Sequence, residues 1–148
     1  MVEILFAVAI MSSFIGLLVL ALMFHLQIAT AGPKHTAAVF LAEEGIEAVK
    51  SIRGRGWFSG IEEIECGVPF FLYVSENEWR ATTTEQITDG TFIRKMRLEE
   101  VRRDENNRIA EEGILDPGTR LVNVEVTWDG LMGRSKAEMS AYVTNIFE

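Results

Sequence analysis

Apolar side chains run almost without interruption from Ile4 to Met23 in the opening "MVEILFAVAIMSSFIGLLVLALMF", and Glu3 is the one charge in that stretch. About 20 apolar residues in helical form span the hydrocarbon of a bilayer, so this run predicts a membrane-spanning helix. Ser12, Ser13 and Gly16 interrupt the run in composition only, because hydroxyls can bond back to helix carbonyls and glycine is tolerated in membrane helices. Gly32 and Pro33 follow. Proline removes an amide donor and collides with the preceding turn, so the helix is expected to pause, kink or end near 29–33, with the segment from Ser12 to Gly16 a second candidate for local melting.

The helical period then resumes. In "TAAVFLAEEGIEAVKSIR", Ala38, Leu41, Ala42, Gly45, Ile46, Val49 and Ile52 recur at spacings of three and four, while Glu43, Glu44, Glu47, Lys50 and Arg53 take the other side. This is an amphipathic helix with one face to bury, and Gly45 on that face lets another backbone come close. The glycines of "RGRGWFSG" stop it, and "IEEIECGVP" has no period and reads as a loop.

From Pro69 the pattern is that of strands: "FFLYVS", "WRATTT" and "TFIRKMRLEEVRR". In the last of these Phe92, Met96 and Leu98 share one parity and Lys95, Arg97 and Glu99 the other, with Arg94 breaking the pattern. The strictest alternation comes last, with Val122, Val124, Val126 and Trp128 inward in "LVNVEVTWD" and Ala137, Met139, Ala141 and Val143 inward in "KAEMSAYVTNIF". "DGLMGR" supplies the turn between them, and "DENNR" and "DPGT" punctuate the approach. Three or more such strands laid on the apolar face of the helix make a stable unit. The fold class expected is therefore α+β. A hydrophobic helix over 1–33 leads to an amphipathic helix and loop over 34–60, and an antiparallel sheet over 61–148.

Length and charge narrow the functions. A chain of 148 residues with an anchor leaves room for one small domain. The formal net charge is −8, and from Ile4 to Pro33 nothing but a proton on His25 could add charge. Such acidity argues against general affinity for nucleic acid or an anionic lipid surface. With Cys66 the only cysteine, no intrachain disulfide can form, so packing must stabilise the domain. No Lys or Arg precedes Lys34, unlike the basic start of a cleavable secretory signal, and the helix is expected to stay attached.

Taken together, "MVEILFAVAI", the long apolar helix running into "FLAEEGIEAVKSIRGRGW", and the sheet closing in "VEVTW…GRSKAEMSAYVTNIF" resemble the type IV pilins and their relatives, the pseudopilins and minor pilins, over the whole chain. The resemblance implies a precursor cut after a glycine by a prepilin peptidase and methylated at its new N-terminus. It also implies a helical homopolymer built from a membrane pool by pilus assembly machinery and exposed as an extracellular filament in motility, adhesion or DNA uptake. Glu3 matches the family's single helix acid, whose role is to pair with the N-terminal amine of a neighbouring subunit. Only two residues precede Glu3 here, fewer than in the family, so a leader and two further residues are expected ahead of Met1. A minor pilin, a secretion or competence pseudopilin, and a monomeric membrane-anchored binding domain are the alternatives. An acid in the first turn also suits the helix dipole without any partner.

Other candidates carry less. His25 has no Cys, Asp or Glu three or four residues away, and His35 sits beside Lys34, so neither suggests a metal site. "DENNRIAEEGILD" has the oxygen donors of a calcium loop, but Arg108 and Ile109 stand where that loop needs an acid and glycine. "KSIRGRGWF" interleaves Lys50, Arg53 and Arg55 with Trp57 and Phe58 as single-stranded nucleic acid binders do, yet it equally places cations at a helix C-terminus. Arg94, Lys95, Arg97, Arg102 and Arg103, interspersed with Glu99, Glu100 and Asp104, predict a solvated sheet face. No nucleophile, base and orienting group occur together, so neither an enzyme nor a cofactor is expected.

Overall fold

The computed structural model describes residues 1–130 and 133–145, and within the long helix every side chain but those of Gln27, Thr30 and Ala31. That helix, α1, spans Val2–Arg55. Contacts divide the chain into two compact units, Met1–Thr36 and Ala37–Glu148. The amphipathic part of α1 thus belongs to one unit with the sheet rather than forming a piece of its own. Gly16, Gly32 and Pro33, expected to interrupt the helix, all lie inside it. Pro33 forfeits the bond to the carbonyl four residues back, yet its fixed φ is itself helical, and a penalty of about 3 kcal/mol is local.

In the second unit α1 ends where Gly56 takes φ 146°. A wide turn of π type follows at Trp57–Ile61 in place of the expected plain loop. A Cβ on Gly60 would stand 2.7 Å from the Ile52 carbonyl, so glycine is what lets this turn fold back on the helix and bury Trp57 and Ile61.

The strands are β1 (Pro69–Ser75), β2 (Glu78–Thr82), β3 (Ile87–Thr88), β4 (Phe92–Arg103), β5 (Ile109–Ala110), β6 (Ile114–Gly130) and β7 (Gly133–Thr144). They form one antiparallel sheet in the order β2-β1-β4-β6-β7, with β3 and β5 pairing β4 off that path. Every long strand read from the pattern is present, and β3 and β5 are additions too short to show a period. Ser75 pairs Glu78, leaving Glu76 and Asn77 as a two-residue turn with φ 54° and 65°, the backbone of a type I′ hairpin. Gly130 pairs Gly133 where the last hairpin turns; Leu131 and Met132 of the expected "DGLMGR" turn, and 146–148 of the last expected strand, lie outside the described residues.

"DPGT" does not separate strands. Glu100 pairs Arg120 but Val101 pairs Asp116, so Pro117, Gly118 and Thr119 have no partner on β4 and form a bulge inside β6. The bulge is stitched from within. Asp116 Oδ1 accepts the Gly118 amide at 2.9 Å, Asp116 Oδ2 accepts Arg103 Nε at 2.6 Å, and Arg120 Nη1 donates to the Pro117 and Thr119 carbonyls, each at 3.0 Å. Leu98 belongs to the core cluster, whereas Val101, three residues on and also buried, lies outside it.

The core joins the α1 face Ala38, Leu41, Ala42, Ile46, Ala48, Val49 and Ile52 to Met96, Leu98, Val122, Val124, Val126 and Trp128 of the sheet. Burying each large apolar side chain is worth about 1.5–3 kcal/mol. Met139 and Ala141 are half-buried against this cluster, and Ala137 and Val143 are inside it. Gly45 is buried, and a Cβ there would touch Arg94 Cδ at 3.2 Å and Val124 Cγ1 at 3.3 Å. Sheet side chains, rather than another backbone, fill the space it leaves.

Arg94 is the main correction on the sheet. It faces the core with Phe92, Met96 and Leu98 instead of solvent, and only 3% of it is exposed. Its Nη1 donates to Glu44 Oε2 at 2.7 Å and to the Leu41 carbonyl at 3.1 Å, and its guanidinium lies 5.3 Å from the Trp79 ring centroid. Arg103 is likewise drawn from the solvated face into the bulge.

Candidate membrane and assembly segment

Val2–Leu26 is long and apolar enough to cross a membrane, with mean hydropathy 2.7 and none of it buried within the chain. The large side chains Ile4, Leu5, Phe6, Phe14, Leu17 and Phe24 are all exposed by more than half. Water would not tolerate so much bare hydrocarbon, and a bilayer or a set of like helices would.

The polar groups in this segment are handled locally. Ser12 Oγ donates to the Val8 carbonyl at 2.7 Å and Ser13 Oγ to the Ala9 carbonyl at 2.8 Å, so neither hydroxyl needs water. Gly16 and Gly32 would have nothing within 4 Å of an added Cβ. Among the described residues neither is glycine for the sake of a contact, and each leaves a notch on the helix wall. Glu3 sits in the first turn of α1, fully on the surface, and no side-chain partner meets it among the described residues. The helix dipole favours an acid there, by about 0.3–1 kcal/mol when exposed.

The other candidate residues are dispersed. Lys50 pairs Glu47 at 2.6 Å, Arg53 Nη1 reaches the Thr144 carbonyl at 3.5 Å, and Arg55 Nη2 donates to the Trp79 carbonyl at 2.7 Å. Trp57 is buried beneath Arg120, whose guanidinium lies 5.8 Å from its ring centroid, so its face is closed to a stacking base. His25 and His35 are exposed on α1. Asp104 Oδ1 accepts the amides of Asn106 and Arg108 at 2.9 and 2.8 Å, which makes "DENNR" a turn closed on itself. Among the described residues no three His, Cys, Asp or Glu side chains gather as a metal site. Cys66 is a half-buried free thiol beside the core.

The outward face of the sheet carries an open trough of about 360 Å³ over Lys95, Arg97, Asn123, Glu125, Glu138 and Ser140. Lys95 Nζ lies 2.5 Å from Glu125 Oε1, and Lys136 Nζ 2.7 Å from Glu138 Oε1. The hydrogen bond and charge of Lys95 hold the Glu125 carboxyl below its usual range, and Glu138 likewise raises Lys136. These are mutually satisfied ion pairs.

Besides the π-type turn and the short strands β3 and β5, sequence reasoning missed the buried Arg94 and the stitched bulge. The first had a signal, since Arg94 shares the parity of Phe92, Met96 and Leu98. Comparison of the chain with family models, with curated proteins and with solved structures finds no match to any of them.

Proposed function

We propose that this chain is a structural subunit of a type IV pilus-like filament, with a pilin-like fold and no catalytic role. Val2–Leu26 anchors it in the membrane before assembly, and the same helix packs among its copies in the filament interior afterwards. The observation that carries the reading is a bare, membrane-length helix with a single acid in its first turn, continuing as an amphipathic helix whose inner face is packed on an antiparallel sheet.

The acid gives the mechanism. A carboxylate moved from the headgroup region into a bundle of apolar helices costs several kcal/mol unless it finds a cation. The free N-terminal amine of a neighbouring subunit is a cation placed at the right depth, and pairing with it fixes the offset between successive subunits. The notches at Gly16 and Gly32 suit close approach of other helices, as small residues do in membrane bundles. Cleavage by a prepilin peptidase and insertion by assembly machinery are the partners this reading requires.

A membrane-anchored external domain that never polymerises shares all of these features except the demand on Glu3. Shearing the cell surface separates the two: release of the chain as long polymers is expected, and retention of all of it with membranes would overturn the filament. Glu3→Gln and Glu3→Ala should insert normally yet leave the cell without filaments made of this chain. Abundant normal filaments from Glu3→Ala would sink the pairing mechanism.

A further inference from the structure

The sheet has two edges, and they differ. At β2, five residues long, Arg55 of α1 already covers the Trp79 carbonyl. At β7, twelve residues long, one face of the backbone ladder pairs β6 and the other meets no strand among the described residues. Among the described residues only the Thr144 carbonyl at its end receives a side-chain donor, Arg53. Such a long open edge presents a row of unpaired amides and carbonyls, the template on which another strand adds.

The charges beside that edge are a set of two lysines and two glutamates. Across the outward face Lys95 pairs Glu125, and Glu125 is directly opposite Glu138. Like charges directly opposite each other on neighbouring strands oppose pairing. Glu138 is paired with Lys136, two residues along its own strand, at 2.7 Å. An ammonium group and a carboxylate thus stand two residues apart on the exposed edge strand, a pair that is complementary to its own antiparallel copy.

We infer that β7 pairs antiparallel with β7 of a second copy of this chain, with Ala137 on the two-fold axis. Antiparallel self-pairing that keeps each face of the sheet continuous must centre on a residue, because a centre between residues sets inward side chains against outward ones. Centred on Ala137, the pairing sets Lys136 opposite Glu138 of the second copy and Glu138 opposite its Lys136, so two symmetric ion pairs form. Centred on Glu138 it sets two carboxylates face to face, and centred on Lys136 two ammonium groups. The charge row thus becomes Lys95, Glu125, Glu138 and then the second copy's lysine, which encloses the two acids between cations. Ala137 itself is small and buried, so the two strands meet at the axis without a bulky side chain between them.

This contact is two-fold and closed. It cannot propagate a filament, which needs a head-to-tail interface; it joins two chains, or two filaments side by side. It therefore stands or falls apart from the proposed function.

The test is the oligomeric state of the full chain in detergent micelles, measured by sedimentation with tagged and untagged chains mixed. Wild type should form dimers. Lys136→Glu and Glu138→Lys should each weaken self-association roughly tenfold or more, because both symmetric attractions become repulsions. The double variant K136E/E138K should restore the homodimer. Mixing the two single variants should give heterodimers, since the acids of one chain then face the lysines of the other. Both side chains are exposed, and unchanged circular dichroism checks that the fold persists. A wild type that stays monomeric, meaning that Lys136 guards the edge instead of pairing it, overturns the inference. So do single variants as dimeric as wild type, or a mixture that forms no heterodimer.

Discussion

Arg94 Nη1 lies 2.7 Å from Glu44 Oε2, and the two side chains differ sharply in exposure, 4% for the arginine and 47% for the glutamate. The pair is therefore asymmetric. Removing the glutamate strands a buried guanidinium whose Nε already lacks a partner among the described residues, whereas removing the arginine leaves a carboxylate that water can reach. Glu44→Ala should lower the unfolding free energy by about 1–3 kcal/mol, less than for a fully buried pair because Glu44 is half in solvent. Arg94→Met, which fills similar volume without charge, should cost less than Glu44→Ala or even stabilise. Denaturant unfolding of the two variants checks this, and the reverse order would show that the Trp79 and Leu41 contacts of Arg94 outweigh its burial.

This pair also shows where sequence reading reaches its limit. The period of α1 and the alternation in β4, β6 and β7 are set by one buried face, so the pattern alone places Leu41, Ile46, Val49, Val124 and Val126 together. Arg94 has the right parity and the wrong polarity, and only its partners, 50 and 53 residues away in sequence, reconcile the two. The "DPGT" bulge is hidden for a similar reason. Proline and glycine read as a stop, while long-range bonds from Arg103 and the β7 pairing of Thr119 carry the strand through. At the N-terminus the apolar run is plain, but a helix passing through Pro33 depends on how much local cost the surrounding turns absorb. Glu3 is legible as an anomaly, and among the described residues no side-chain partner meets it.

Acid should weaken the second unit through Asp116. The hydrogen bond from Arg103, helped by Thr119 and the Gly118 amide, holds its carboxyl below the usual range against the opposing effect of burial. A depressed folded pKa means that the unfolded chain binds the proton first, so this stabilisation is present above about pH 4 and is lost as pH falls through the folded value. Glu125, lowered chiefly by its bond to Lys95, acts in the same direction. Asp116→Asn should be less stable than wild type at pH 7, and the two unfolding curves should converge as pH falls through the folded value. Parallel curves across that range would mean that the bulge does not need the charge.

The β1–β2 turn holds a removable strain. Glu76 and Asn77 both have positive φ, a conformation asparagine and glycine adopt readily and glutamate does not. The pairing of Glu76 with Arg80 at 3.4 Å is exposed and contributes little. Replacing the two residues by Asn and Gly, Glu76→Asn with Asn77→Gly, should raise stability by about 0.5–1 kcal/mol. A lower melting temperature for that variant would mean that the turn is not of the I′ type.

The packing of Gly45 against the sheet gives the sharpest test of how firmly Arg94 is held. Gly45 lies within a helix, where alanine is better by about 1 kcal/mol, so Gly45→Ala would stabilise if the space were open. It is not open: the new methyl would meet Arg94 Cδ at 3.2 Å and Val124 Cγ1 at 3.3 Å, and one of them must yield. Val124 is a β-branched side chain packed in the core, with few rotamers to choose from. Arg94 is pinned at its far end by Glu44, Leu41 and Trp79, so its stem cannot swing aside without breaking those bonds. Gly45→Ala should therefore be destabilising by about 1–2 kcal/mol on balance, as overpacking of a filled core usually is. In an Arg94→Met background the stem is free to shift, and the same substitution should become neutral or favourable. Measuring all four chains closes the cycle, and a coupling energy near zero would show that Arg94 is not the side chain that limits how closely α1 lies on the sheet.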